Sequence, residues 1–282
     1  MSIANQISEY LKTDVVQFAL IVGVLISLCC AILGVTLVLK RYSMIGDGLS
    51  HVAFGALTIS MVLTIADMYV MLPVTIIVAI LLVRLTNKGK VKNDSAIAML
   101  SVGALALGYL LVNLFPVSSN VSRDICSTLF GSTSILTLSM LDVWLCVGLT
   151  IFVLIYFIFF HNRIFAVTFD EDFSKATGIK TGLYNNILAI ITGIIIVLAM
   201  KLVGSLLISA LIVFPAISAI RLFKSYKMVI IFASIIGVVN SVLGIFVSML
   251  WSTPVGATIV FIDIVVYFVC WCMEIILKGC KR

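Results

Sequence analysis

Charged residues are scarce in this chain. Of its 282 residues, 11% are Asp, Glu, Lys or Arg and 63% are hydrophobic, and the mean hydropathy is +1.30. A soluble domain has charge on about a quarter of its residues, so this composition excludes one. The apolar residues form runs of about 20 along the whole chain and do not alternate with polar residues as membrane strands do. The sequence therefore predicts an all-α, polytopic membrane protein, built as a single transmembrane domain over residues 1–282.

Several catalytic signatures are absent as well. The chain has only two histidines, His51 and His161, and they are too far apart for the His-Glu-x-x-His helix of an intramembrane metalloprotease. No phosphate-binding loop of the Gly-x-x-x-x-Gly-Lys-Ser/Thr type occurs, because residues 177–181 lack its Gly-Lys pair. The seven cysteines include no Cys-x-x-Cys pair and are interpreted as small hydrophobic residues. We therefore expect that the chain is not an enzyme.

Nine apolar stretches are long enough to cross a bilayer as helices. Eight or ten spans remain possible, because the region 185–222 is nearly continuous and can be divided in more than one way. The nine predicted spans are residues 16–39, 47–65, 69–85, 96–115, 137–160, 185–203, 205–222, 228–250 and 255–277.

The basic residues favour one orientation in the membrane. If the N-terminus lies outside, every Lys and Arg except Lys12, Arg123 and Lys201 falls on the cytoplasmic side. Such an excess is typical of the cytoplasmic loops of membrane proteins. We expect an outside N-terminus and a cytoplasmic C-terminus, and the net charge of +6 then reflects these loops and not nucleic-acid binding.

The longest charged connection between spans, residues 161–184, is cytoplasmic in this orientation. Its middle part, residues 169–179, has acidic residues at the front, three apolar residues on one helical face and a glycine at the end. This pattern predicts one short amphipathic helix outside the bilayer. Its apolar face either rests on lipid headgroups or docks into a cytoplasmic partner. The residues assigned to docking with such a partner are Phe169, Asp170, Glu171, Phe173, Ala176 and Gly178.

The run from Gly46 to His51 carries the strongest functional signal. Asp47 and His51 are four residues apart, so a helix places both side chains on one face. Ionisable groups at membrane depth mark a transport path or a bound ion, and Asp with His is a metal-ligand pair. The alternatives are that Asp47 caps the helix and that His51 makes an interhelical hydrogen bond. By the predicted topology the pair lies in the cytoplasmic half of its span and not at the midplane. Either the helix begins earlier than predicted, or the site is an inner gate and not a central one.

One chain offers only these two metal ligands, whereas zinc takes four and manganese about six. Two copies related by a two-fold axis would supply two Asp and two His side chains. The sequence therefore favours a homodimer that passes a divalent cation, with a narrow preference for Zn²⁺ over Mn²⁺ or Fe²⁺. The alternative is a proton-coupled secondary metal transporter. Such proteins have several carboxylates and histidines at mid-membrane and inverted repeats, which we do not find in this sequence.

Four segments together resemble a known family. Residues 40–51 resemble the signature of the bacterial ABC-type zinc and manganese uptake permeases, and residues 169–179 look like the cytoplasmic coupling segment of that family. Residues 203–216 are similar to its apolar block ending in Pro-Ala, and residues 252–260 to the opening of its last span. The four landmarks follow the family's order and cover nearly the whole chain.

The resemblance implies a membrane subunit in the bacterial cytoplasmic membrane, with Asp47 and His51 on the metal path. It also implies a separate ABC ATPase bound at the coupling segment and an extracytoplasmic metal-binding protein that delivers the ion. It implies no permanent cofactor, because the metal is cargo.

Two further residues within the predicted spans are candidates for the transport path. Pro215 lies in the middle of its span and is expected to kink or break that helix, either for packing or as a hinge of the path. Asp263 lies deep in the last span. It is interpreted as an ion-pair partner of Lys201, as a path residue, or as a sign that the span boundary is wrong.

Overall fold

The computed structural model describes residues 13–87, 93–115, 140–204 and 208–279 of the chain. Within these ranges the regular structure is entirely helical. The helices are α1 (Asp14–Leu39), α2 (Ile45–Leu63), α3 (Asp67–Asn87), α4 (Asn93–Leu114), α5 (Met140–Phe159), α6 (His161–Phe169), α7 (Glu171–Ala176), α8 (Thr181–Val203), α9 (Ile208–Leu222), α10 (Tyr226–Trp251) and α11 (Val255–Gly279).

Eight helices in the described ranges are long and apolar enough to span a membrane, and α9 is a shorter apolar helix. The predicted all-α membrane fold is confirmed. The eight candidate spans in the described ranges fall within the predicted eight to ten, and the remaining predicted span, residues 205–222, corresponds to the shorter helix α9. Most ends fall within a few residues of the predicted ones, although α8 begins earlier than expected, at Thr181. Two predicted ends, residues 137–139 and 205–207, lie outside the described residues.

Helix α1 lies at the centre of the molecule. It packs against α5, α8, α9 and α10, while α2 packs against α3, α4, α8 and α9. The apolar side chains of α1 and α2 fill the core between these neighbours, with Leu33, Ile45, Leu49 and Phe54 almost fully buried. Helix α2, which carries Asp47 and His51, is the most enclosed of the candidate spans, whereas α4 and α11 present most of their surface outward.

The connection between α5 and α8 differs from the prediction. Two short helices occur there in place of one helix over residues 169–179. The break falls at Asp170, whose backbone is extended (φ −147°, ψ 96°) and whose side chain caps α7. Phe169 therefore ends α6, and the expectation that it shares one helix with Phe173 and Ala176 is wrong. The physical reason is that an N-cap residue must leave the helical conformation in order to accept from the following turn.

Candidate metal path and coupling segment

Asp47 and His51 lie in the first two turns of α2. The Nε2 atom of His51 is 3.5 Å from the Oδ1 atom of Asp47. The N-cap position of α2 belongs to Met44, so Asp47 is not the N-cap and lies within the first turn. A carboxylate there is stabilised by the positive end of the helix dipole. The two side chains share one face of α2, as their spacing requires.

The pair is enclosed unequally. The His51 side chain is 9% exposed and that of Asp47 is 34% exposed. The Nδ1 atom of His51 is buried and has no hydrogen-bond partner among the described residues. The hydroxyl of Ser50, which lies between the two in sequence, donates to the Asp47 carbonyl at 2.8 Å. The Nε2 atom, which lies beside the partly open Asp47 carboxylate, is the nitrogen placed to ligate a cation together with it.

Two glycines beside Asp47 let neighbouring helices approach it. A β-carbon on Gly48 would come within 2.6 Å of the Ile97 side chain on α4. A β-carbon on Gly46 would lie 3.0 Å from the Ile212 side chain on α9. The first turn of α2 is therefore held between α4 and α9, and small residues are what permit this close packing.

The described part of one chain does not complete a metal site. No group of three or more His, Cys, Asp or Glu side chains comes together within it in a way that could hold a metal ion. Asp47 and His51 are therefore two candidate ligands, and a metal ion held by them would need further ligands from elsewhere, such as solvent or a second molecule.

A rigid turn joins α1 to α2. Arg41 adopts a left-handed conformation (φ 62°), and its N–H donates to the Val38 carbonyl at 3.0 Å. The Tyr42 N–H donates to the Leu37 carbonyl at 2.8 Å, and the Ile45 N–H then donates to the Tyr42 carbonyl at 3.0 Å. The first two bonds form a Schellman motif at the end of α1, in which glycine is the usual left-handed residue. No glycine marks this motif in the sequence, because Arg41 occupies the left-handed position.

Hydrogen bonds cap both ends of α7, the short helix of the coupling segment. Asp170 Oδ1 accepts from the Phe173 N–H at 2.8 Å at the start of α7. Gly178 (φ +83°) follows the helix, and the N–H groups of Gly178 and Ile179 donate back into it at 3.0 and 2.9 Å. Both ends of this six-residue helix are thus capped.

The apolar side chains of the coupling segment face outward. Phe169 is 58% and Phe173 64% exposed, and Ala176 is also exposed. Exposed aromatic side chains at a molecular surface are typical of interaction sites. Glu171 instead turns toward the body of the protein.

Glu171 takes part in a polar network that sequence reasoning missed. Its Oε2 atom accepts from the Asn185 side-chain amide at 3.1 Å, and Asn185 Oδ1 accepts from the Lys40 ammonium. Lys175 lies 3.1 Å from Glu171 Oε1. Partial burial pushes the pKa of the Glu171 carboxyl up, but the hydrogen bonds from Lys175 and Asn185 and the charges of Lys175 and Lys40 together hold it below its ordinary value.

The two candidate path residues are both buried. Helix α9 runs through Pro215 from Ile208 to Leu222, so the helix is not broken there. Asp263 is 1% exposed within α11, which rules out a wrong span boundary. Its Oδ1 atom accepts from the Asn240 amide at 2.6 Å, while Oδ2 has no partner among the described residues. The proposed partner Lys201 has a side chain that lies outside the described part of the chain.

Eight apolar helices of membrane-spanning length in the described ranges, one of them with an enclosed Asp–His pair, are typical of a polytopic membrane protein that handles a cation. Comparison with protein families sharpens this class. The chain belongs to the ABC 3 transport family, whose sequence model matches residues 12–274. It is a metal ABC transporter permease, the membrane component of a transport system.

Some relatives of this chain are named for manganese and others for zinc. The chain is 29% identical over 253 residues to the manganese import system permease protein ScaB of Streptococcus gordonii, covering 90% of this chain and 89% of the relative. It is 29% identical over 243 residues to the high-affinity zinc uptake system membrane protein ZnuB of Haemophilus influenzae, covering 86% and 91%. The solved structure of PsaBC from Streptococcus pneumoniae in complex with Fab is similar, with a TM-score of 0.82, 27% identity and 95% of each chain covered.

Proposed function

We propose that this chain is the membrane subunit of an ATP-driven importer of divalent metal ions and that Asp47 and His51 ligate the ion in transit. The observation that carries the proposal is the pairing of these side chains at 3.5 Å in the first turns of the most enclosed span. Isolated charged groups are costly inside a membrane, so a carboxylate kept beside a buried imidazole favours a cation as the missing partner. A site with only two ligands from each chain holds an ion loosely. This suits a transport path, because the path must also release its ion.

The two-ligand set supports a homodimer. A second copy on a two-fold axis would add another Asp47 and another His51, which makes four ligands. The exposure of the Asp47 side chain, 34% in the single chain, leaves its carboxylate open to such a partner. The dimer thus completes a site that one chain lacks in its described residues.

The metal is proposed to be Zn²⁺ in preference to Mn²⁺ or Fe²⁺. Two imidazole nitrogens and two carboxylate oxygens suit the four-coordinate geometry of zinc, whereas manganese takes about six ligands and more oxygen. The relatives are named for both manganese and zinc, so they support the divalent-metal class without choosing between the two. Mn²⁺ in the same site would need added water oxygens.

A separate ATPase is proposed to bind the coupling segment. Phe169, Phe173 and Ala176 present an exposed apolar surface, while Asp170 and Gly178 cap the helix that carries it. Glu171 anchors that helix to the body of the protein. An extracytoplasmic metal-binding protein would deliver the ion on the other side. In the orientation favoured by the basic residues, the N-terminus is outside, the C-terminus is cytoplasmic, and the Asp47–His51 pair forms an inner gate.

Pro215 and Asp263 are proposed as secondary path residues. They lie in α9 and α11, which pack against each other, and α9 also packs against the metal-bearing α2. Pro215 has no N–H group, so the Leu211 carbonyl lacks its usual intrahelical partner. Such a carbonyl can contribute to a path through a helix bundle.

Metal accumulation by cells that depend on this transporter tests the proposal. Asp47→Asn and His51→Asn should each lower uptake of ⁶⁵Zn²⁺ at least about tenfold, because each removes a ligand of the passing ion. Matched controls are His161→Asn, which changes the only other histidine, and Asp67→Asn, which changes a carboxylate at the other end of the α2–α3 hairpin. Both controls should keep uptake close to that of the wild type.

Two outcomes would contradict the proposal. Unchanged uptake in both Asp47→Asn and His51→Asn would show that the two side chains serve packing and do not ligate the ion. Uptake by vesicles that hold this chain without an ATPase, driven by a proton gradient alone, would favour the secondary transporter. Competition of ⁶⁵Zn²⁺ uptake by excess Mn²⁺ decides the metal, since a zinc-preferring site should resist it.

A further inference from the structure

The last turn of α1 is connected to the coupling segment by two sets of contacts, one through Asn185 and one through Tyr226. At the first, Lys40 donates to Asn185 Oδ1, and the Asn185 amide donates to Glu171 Oε2 at 3.1 Å. Lys40 is the C-cap residue of α1, Asn185 is in the first turns of α8, and Glu171 begins α7. Asn185 is 4% exposed, so this amide connects two charged groups inside the protein and not at its surface. Hydrogen bonds to charged groups are stronger than neutral ones.

The second contact lies one turn earlier on α1. The hydroxyl groups of Thr36 and Tyr226 are 3.0 Å apart and buried. The Tyr226 ring packs against Phe165 and Phe169 of α6, with ring centroids 5.4 and 6.1 Å apart. Thr36 and Lys40 are four residues apart and so lie on the same face of α1. This face of α1 is thus connected to the coupling segment by the polar side chain of Asn185 and by the aromatic ring of Tyr226.

The same turn of α1 is joined rigidly to α2. The hydrogen bonds of Arg41, Tyr42 and Ile45 leave little freedom in the turn between the two helices. Lys40 and Asn185 line two small cavities, one shared with Ile164 and Val167 of α6 and the other with Tyr42 and Ile45. The Lys40–Asn185 pair therefore lies between the coupling segment and the first turn of the helix that carries Asp47.

From these contacts we infer that the C-terminal turn of α1, Thr36 to Lys40, transmits movement of the coupling segment to the Asp47–His51 pair. Lys40 and Asn185 are positioning residues for metal import, and they act through α2 without contacting the ion. The inference rests on the proposed function. The inferred route runs through named side chains. A displacement of α7 is passed to Lys40 through Glu171 and Asn185, and the displaced Lys40 then moves the start of α2. A route of this kind has to be shown by energetic coupling and not by position alone.

The experiment measures two rates on one preparation, the complete transporter with its ATPase in lipid vesicles. ATP hydrolysis and ⁶⁵Zn²⁺ uptake are recorded together and expressed as ions taken up per ATP. Lys40→Met and Asn185→Leu should lower this ratio about tenfold while hydrolysis itself stays within about twofold of the wild type. Lys180→Met is the matched control, because it removes an exposed lysine from the same cytoplasmic-type connection and should keep the wild-type ratio.

A charge exchange separates transmission from folding. Lys40→Glu alone and Glu171→Lys alone place like charges at the two ends of the bridge, and both should uncouple the transporter. The double variant Lys40→Glu/Glu171→Lys restores opposite charges, and the Asn185 amide can turn over to donate to the new carboxylate and accept from the new ammonium. We expect the double variant to recover most of the ratio that each single change loses, a non-additivity that marks a direct energetic link.

The outcomes distinguish this inference from the function on which it rests. If wild-type vesicles hydrolyse ATP and take up no metal, the proposed function fails and the route fails with it. If the wild type is coupled and Lys40→Met is equally coupled, the route alone is overturned. A double exchange no better than the worse single variant also overturns it, provided that all variants elute as intact complexes in size-exclusion chromatography.

Discussion

Gly34 of α1 lies directly against the backbone carbonyl of Ile212 in α9. A β-carbon on Gly34 would come within 2.0 Å of that oxygen. The neighbouring atoms are backbone, which cannot rotate away as a side chain would. The Ile212 side chain also reaches Gly46 at the start of α2. One residue of α9 therefore fixes the spacing of both α1 and α2, the helix that carries Asp47 and His51.

Replacement of Gly34 by alanine should destabilise the protein strongly. The added methyl group forces α1 and α9 apart, and overpacking of this kind costs about 1–3 kcal/mol or more. The apparent midpoint of thermal unfolding of the purified protein in detergent measures the effect. Gly148→Ala is the control, because nothing lies within 4 Å of a β-carbon at Gly148 in α5. A Gly34→Ala protein as stable as Gly148→Ala would show that the helices separate without cost.

The membrane fold could be predicted from the sequence because hydropathy is a local property. Runs of about 20 apolar residues give the spans, and the four-residue spacing of Asp47 and His51 places them on one face. The break at Asp170 was missed because the same acidic residues suit either one longer helix or a capped shorter one. In both cases the sequence supplied the residue types, and local competition between conformations decided the boundary.

Contacts between distant segments could not be predicted. Lys40 and Asn185 are 145 positions apart, and nothing local to either residue names the other. The Asp263 carboxylate accepts from the Asn240 amide, a neutral partner 23 positions away that no charge pattern indicates, and its predicted pairing with Lys201 stays a prediction. Such pairings depend on which helix faces meet, which in turn depends on close approaches such as that of Gly34 to Ile212.

Gly178→Ala tests how the coupling helix ends. Gly178 has a positive φ of 83°, and an L-residue in the left-handed region costs roughly 1–2 kcal/mol. Nothing lies within 4 Å of a β-carbon there, so the backbone conformation and not crowding is the cause. We expect faster amide hydrogen exchange in residues 170–179 and weaker binding of the ATPase, since α7 would be ordered for less of the time.

Gly182→Ala is the matched control for this change. Gly182 also has open space around a β-carbon, but it lies within α8 and its φ is not positive. Alanine should be neutral or slightly stabilising at that helical position. If both variants show the same exchange rates as the wild type, the turn after α7 does not depend on glycine.

Asp263 and Asn240 form a buried pair whose role can be determined by two substitutions. Asp263→Asn keeps the size of the side chain and an oxygen that can accept from Asn240. Asp263→Ala leaves the Asn240 amide buried without that acceptor, which costs about 1–3 kcal/mol. If the pair is structural, Asp263→Asn should keep both stability and metal uptake, whereas Asp263→Ala should lower the unfolding temperature.

A path role for Asp263 predicts the opposite pattern for the amide variant. Loss of ⁶⁵Zn²⁺ uptake in Asp263→Asn at unchanged thermal stability would show that the carboxylate itself serves the ion. The double variant Asn240→Ala/Asp263→Ala completes a cycle. It should be less destabilised than the sum of the two single changes if the hydrogen bond at 2.6 Å contributes to the fold.

Lys40 connects stability with pH. Burial lowers the pKa of its ammonium to about 8 from an ordinary 10.5, and the nearby Glu171 charge only partly opposes this effect. The folded protein therefore releases the proton at a lower pH than the unfolded chain does. Between about pH 8 and 10.5 the unfolded chain binds more protons at this residue, so the free energy of unfolding rises with pH. Below about pH 8 the folded state carries the full cost of the buried charge.

Lys40→Met removes this pH dependence together with the charge. The difference in unfolding midpoint, Lys40→Met minus wild type, should be most favourable to the variant near neutral pH and should shrink at alkaline pH. The lost bond to Asn185 shifts both values equally and cancels in the comparison across pH. A difference that stays constant with pH would show that the Lys40 pKa is not lowered in the folded protein. If it shrinks as expected, the lysine is retained at a cost in stability, which is the pattern of a residue kept for transmission and not for folding.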